Sequence, residues 1–230
     1  MLDFQSGQTL LFNKPKGWTS FDVVSKTRGL LKKALKVKKI KVGHAGTLDP
    51  LATGLLIICT GKFTKRLESL QGQEKGYEVI FKLGATTASY DMEHPEENIV
   101  DASHITEEDV SAAIENFKGE IKQYPPIFSA VKINGKRAYK SAHKGRDVEV
   151  RPRLVQVDKF EVVEFRDPSW VKAEIHCGKG TYIRSLVHDL GQVLGVGGYV
   201  VELKRTFIGE YKLEDAMEIE DFVESLKESL

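Results

Sequence analysis

Residues 55–59 read LLIIC, five apolar residues in a row. A run this short and this continuous predicts a buried strand. The segment feeding it is unusual. Residues 43–54, GHAGTLDPLATG, hold three glycines, one histidine and a single carboxylate, Asp49. A glycine-rich bend carrying an acid beside a buried strand could be a phosphate loop, a metal site, a catalytic acid or an ordinary turn.

Spacing tests the first two. Gly43, Gly46 and Gly54 do not make G-x-G-x-x-G, and Gly61-Lys62 lacks the glycine that a P-loop needs at the position of Leu56. A metal site needs three or more ligands, and His44 and Asp49 have no companion cluster. His176 and Cys177, as strand neighbours, point to opposite faces. An Asp-Pro turn, with Asp49 capping the next segment of chain, stays open beside a catalytic acid.

The remaining chain alternates strand and helix signals without regular βαβ order, which predicts an α+β fold with a largely antiparallel sheet flanked by helices. Tyr77, Val79, Phe81 and Leu83 alternate as a half-buried strand, and so do Val171, Ala173, Ile175 and Cys177. Ser20 is expected to cap a helix with Phe21, Val24, Leu31 and Leu35 on one face. Thr106 caps a second helix, closed by Gly119, and Thr181 a third. The C-terminus reads as an acidic amphipathic helix. With 230 residues, 41% of them hydrophobic, the chain suits one sizeable domain with an inserted lobe.

A net charge of +1 conceals segregation. Lys26 to Lys41 contains eight basic residues and no acid, whereas Asp91 to Asp109 contains eight acids and no Lys or Arg. The basic run is either a solvated face or a footprint for a phosphate backbone. Residues 121–153 hold a Pro pair, an Asn-Gly hairpin signal and many basic residues interleaved with Tyr124, Phe128 and Tyr139. Basic and aromatic residues together favour nucleic-acid contact. Two distant cysteines in apolar surroundings, no cationic leader and no apolar run near ~18 residues fit a cytoplasmic chain without a membrane span.

GHAGTLDPLATG resembles the catalytic signature of the TruB-type tRNA pseudouridine synthases. NKPKGWTSFDVV, GKFTK, KGYEVIFKLGATTASYD, YPPIFSAVKINGKRAY and HCGKGTYIRSLVHDLG are similar to further segments of that family, in its order, over residues 9–213. The resemblance implies a pseudouridine synthase fold over residues 1–230 with a thumb-like RNA-binding lobe at 121–153. It implies isomerisation of uridine 55 in the T-arm of tRNA, with tRNA as partner, no protein partner and a monomeric enzyme. No cofactor is implied, since the reaction has no redox step, and no metal.

Residue by residue, Asp49 matches the family's essential aspartate. A carboxylate there is compatible with attack at C1′, attack at C6 or removal of a ribose proton. Arg184 matches the arginine that pairs with it, and Tyr77 the tyrosine that stacks on the target base. His44 matches a histidine that fills space left when nucleotides leave the stack. Tyr182, Leu203, Lys65 and Asp91 match further positions around the substrate. Taken singly, Tyr77, Tyr182 and Leu203 read equally well as core, Lys65 and Arg184 as surface and Asp91 as a loop acid. The chain is expected to lack the C-terminal PUA-type domain of longer members and to bind tRNA more weakly or differently. The competing reading is a catalytically silent RNA-binding or tRNA-folding module, which needs neither Asp49 nor Arg184.

Overall fold

The computed structural model describes residues 3–129, 132–133, 136–137 and 151–228. Two compact units emerge: Met1–Tyr77 with Leu203–Leu230, and Glu78–Glu202.

In the first unit, β1 (Thr9–Lys14) pairs antiparallel with β3 (Thr53–Thr60), which also takes β2 (Val42–Ala45) antiparallel. The strand β12 (Gly198–Ile208) joins β3 in parallel, Lys204 opposite Thr53 and Arg205 opposite Gly54, and turns back into β13 (Tyr211–Lys212). The apolar run at 55–59 is explained here. Leu56 and Ile58 face one core cluster, with α1 (Ser20–Ala34) and α5 (Ile219–Glu228) on it. Leu55, Ile57 and Cys59 face a second, with Leu70 of α2 (Leu67–Gly72) and Ile208. A strand covered on both faces has no polar side to show. The strand β2 had no signal of its own in the sequence: four residues are too few for a period to register.

In the second unit, the strand order is β4 (Lys75–Leu83), β11 (Trp170–Cys177), β10 (Arg153–Asp167), β7 (Gly119–Gln123). Its β10 is antiparallel to both β7 and β11. Tyr77, Val79, Phe81 and Leu83 are buried along β4, and Val171, Ala173, Ile175 and Cys177 along β11, as their alternation predicts. Between β4 and α3 (Glu107–Ile114) the acidic stretch forms a small ladder of β5 (Thr86–Thr87) with β6 (Glu96–Glu97). Helix α4 (Ile183–Val193) packs on α3.

Three expected helix details change. The cap of α1 is Thr19, one residue earlier than Ser20, because Asp22 closes a capping box with Thr19. Phe21 is then 62% exposed, and Val23 and Thr27 join Val24 and Leu31 on the buried face. Helix α4 starts from Tyr182 rather than Thr181, whose hydroxyl donates back to the Gly178 carbonyl. The cap at Thr106 is a capping box with Asp109, and Gly119 has φ +82°.

Gln123 lies opposite Arg153 in the β7–β10 ladder, so the chain leaves and re-enters the sheet at adjacent positions. Most of the lobe expected at 121–153 lies outside the described residues. The strands β8 (Lys132–Ile133) and β9 (Lys136–Arg137) pair antiparallel on either side of the Asn-Gly signal. Both cysteines are buried thiols outside any disulfide. Among the described residues, no helix is long and apolar enough to cross a membrane.

Candidate active site

Asp49 sits in the loop between β2 and β3, and the chain pins the backbone on both sides of it. The Leu48 amide donates to Ser20 Oγ at 2.8 Å, and the Gly17 amide donates to the Pro50 carbonyl at 2.8 Å. The Ala52 amide closes a turn onto the Asp49 carbonyl at 3.1 Å. Leu48 and Ala52 are buried, while Asp49 between them is half-exposed. The loop thus presents one carboxylate from a fixed backbone.

Two fully buried cations hold the loop's ends. Lys14 Nζ donates to the carbonyls of Trp18 (2.6 Å), Pro15 (3.0 Å) and Pro50 (3.3 Å). Burial pushes its pKa down to about 8; Asp49 opposes that shift and Arg205 adds to it. Arg205 donates through Nε to the Leu55 carbonyl at 2.8 Å and through Nη2 to the Gly46 carbonyl at 3.1 Å. Neither cation was singled out from the sequence, where a charge at the edge of an apolar strand reads as a surface residue. The glycines answer to the same packing. Gly54 has φ +99°, and a Cβ there would lie 2.3 Å from the Arg205 carbonyl oxygen. Gly46 has φ +88° beside the Arg205 guanidinium. They admit close backbone approach rather than a phosphate.

His44, on β2 opposite Ile58, is half-buried, and burial first, then Arg205, lowers its pKa. Tyr77 is buried, at 7% exposure, and Leu203 half-buried on β12. Lys65 is exposed on the 3₁₀ turn Gly61–Arg66.

In the second unit, Arg184 and Asp91 come together. Arg184 is 4% exposed in the first turn of α4; its Nη1 lies 3.2 Å from Asp91 Oδ2 and donates to the Ser89 carbonyl at 2.7 Å. Nη2 donates to the Phe128 carbonyl at 3.0 Å. Asp91 in turn accepts from Ser89 Oγ (2.6 Å) and the Glu93 amide (3.0 Å). A buried charge pair is costly unless further hydrogen bonds support it, as those from Ser89 and Glu93 to Asp91 and from Arg184 to the Ser89 and Phe128 carbonyls do here. The start of α4 is locked by Gln123, 1% exposed, whose amide accepts from the Tyr182 N–H at 2.8 Å and donates to the Tyr182 carbonyl at 3.0 Å. Ser185 Oγ donates to the Tyr124 carbonyl at 2.7 Å. The Tyr182 ring is half-exposed under the Arg153 guanidinium, 5.1 Å from its centroid.

These features meet a family pattern. A model of the N-terminal domain of TruB family pseudouridylate synthases matches residues 32–183. A model of the tRNA pseudouridylate synthase B C-terminal domain matches residues 184–229. The chain belongs to the TruB family. It is a tRNA pseudouridine synthase, an isomerase. Among its relatives, a tRNA pseudouridine synthase B of Parabacteroides distasonis is 50% identical over 226 residues, spanning 97% of this chain and 96% of the relative. That of Flavobacterium johnsoniae is 46% identical, spanning 98% of each. Two solved structures are similar. A chain from a Cbf5-Nop10-Gar1 complex has 32% identity and a TM-score of 0.71 over 96% of this chain. A chain from an H/ACA RNP bound to a substrate RNA containing 2′-deoxyuridine has 28% identity and a TM-score of 0.68. This chain spans about half of each, 54% and 53%.

Proposed function

We propose that this TruB-family chain converts uridine 55, in the T-arm of tRNA, to pseudouridine, acting as a cytoplasmic monomer. The N1–C1′ bond breaks, the base turns, a C5–C1′ bond forms and the C5 proton is exchanged for one on N1, so atoms balance without a second substrate. Asp49 is the catalytic carboxylate in this reading. Arg184 orients it through a guanidinium fork, and Tyr77 stacks on the base. His44, Tyr182, Leu203, Lys65 and Asp91 surround the nucleotide, which must leave its stack to be reached.

One observation carries the reading: the backbone around Asp49 is pinned at Leu48, Pro50 and Ala52 while Asp49 itself is half-exposed. Rigid presentation of a reacting group from fixed backbone is what catalysis asks of a loop. A turn that merely caps β3 would not need two buried cations to hold it.

The test uses an unmodified tRNA transcript and an isolated T-arm stem-loop, with pseudouridine mapped by carbodiimide labelling and primer extension. Position 55 should be the modified uridine in the transcript, and its counterpart the modified one in the stem-loop. Modification elsewhere, with position 55 unchanged, contradicts the proposed specificity.

A further inference from the structure

The basic run before Asp49 ends in Lys38, Lys39 and Lys41, and a second basic group, Lys62, Lys65 and Arg66, lies just past β3. The fold joins parts of both. A pocket of about 300 Å³ is lined by Gln5, Lys39, Lys41, Lys62, Thr64 and Lys65, with Ile40 and Gly61 completing it. Its wall is fixed: the Gly61 amide donates to the Lys41 carbonyl at 2.9 Å, and Thr64 Oγ1 donates to the Gly61 carbonyl at 2.9 Å. Gly61 has φ +51°, and a Cβ there would lie 2.1 Å from the Gln5 carbonyl oxygen, so three chain segments meet at that point.

All four lysines are exposed. Among the described residues none of the four makes an ion pair. Asp3 is near enough for Lys62 to help hold its carboxyl below the usual range, after the stronger hydrogen bonds from Ser6. Four like charges around one concavity repel one another and focus a positive field into it. A solvated lysine face spreads such charges out; this fold gathers them from two segments more than twenty residues apart.

We propose that Lys39, Lys41, Lys62 and Lys65 form a phosphate-binding pocket that takes the RNA backbone. The inference rests on tRNA being the substrate and adds where the strand is gripped. Phosphate contacts of this type position RNA without reading its sequence. They also release counterions, so log affinity falls with log salt by about 0.7 to 0.9 per phosphate held.

Two triple variants decide it: Lys39→Gln/Lys41→Gln/Lys62→Gln in the pocket, and Lys26→Gln/Lys32→Gln/Lys33→Gln elsewhere in the same basic run. Dissociation constants for an unmodified tRNA transcript are measured from 50 to 300 mM KCl, with circular dichroism melts confirming the fold. The pocket triple should lose about 10- to 100-fold in affinity at low salt, with a slope shallower by about 2. The control triple should lose less than a third of that slope. Equal losses in both variants overturn the pocket in favour of a diffuse field, and a wild-type slope in the pocket triple overturns it outright. If the triple fails to fold, Lys39→Gln and Lys62→Gln tested singly should each flatten the slope by about 0.7 to 0.9; no change in either has the same negative force. Binding alone is read, so failure here leaves the isomerase proposal standing.

Discussion

Lys14 and Arg205 show how little of a residue's task its type reveals. Each is a cation with almost no exposure, and each donates its protons to backbone carbonyls of the segment around Asp49. Lys14 carries a pH signature. Its folded pKa, about 8, lies below the ordinary value of 10.5, so as pH rises the folded chain releases this proton before the unfolded chain does. Between pH 8 and 10.5 the unfolded state then binds more protons, and stability rises with pH. Denaturant unfolding should show wild type gaining on Lys14→Met across that window and holding constant relative to it below pH 7. A flat difference throughout would refute the shift. Glycines give a second contrast. Gly54→Ala combines a left-handed φ with a Cβ 2.3 Å from backbone, whereas Gly17→Ala, at φ +86°, meets nothing within 4 Å. The first should cost about 3 kcal/mol or more and the second about 1 kcal/mol in chemical denaturation. Asp49 stands out in the sequence because glycine spacing disfavours phosphate chemistry and an ordered set of family segments surrounds it, and its catalytic role is the proposal tested below. The tasks of Lys14, at the end of β1, and Arg205, within β12, were not legible, because burial is a tertiary property.

At the scale of elements, period and caps carried most of the reading. The continuous apolar run in β3 and the alternation in β4 and β11 each match the cover those strands receive. Helix starts were read within one residue, and the errors share a cause: the cap is set by which side chain can reciprocate. Asp22 selects Thr19 over Ser20. At α4 the partner is Gln123, fifty-nine residues away, which no local signal announces. That amide is expected to be what fixes the first turn carrying Arg184. Gln123→Leu should therefore speed hydrogen exchange at residues 182–185 and lower kcat/KM about tenfold, with the β10–β11 amides unaffected. Unchanged exchange in that turn would show that Ser185 and Arg184 hold it without Gln123.

Over the whole molecule, the α+β class was visible from irregular strand and helix order, and the charge segregation from simple counting. The division into two units was not, since β4 and β12 pass through both without any break in composition. The C-terminus reads as an acidic amphipathic helix, and its apolar residues Ile219, Phe222 and Leu226 do close the first unit's core, with Phe222 edge-on to Phe12 at 5.3 Å. Phe222→Ala should lower stability by about 3–5 kcal/mol, measured by urea unfolding, and a loss below 1 kcal/mol would mean that the helix is peripheral. The central claim, that a pinned loop presents Asp49 as the reacting carboxylate, meets its most direct test in pseudouridine formation on an unmodified tRNA transcript by wild type and Asp49→Asn. Wild type should turn over, the variant should be slower by several orders of magnitude, and RNA affinity should stay within a few-fold. Equal rates for the two proteins would contradict the claim.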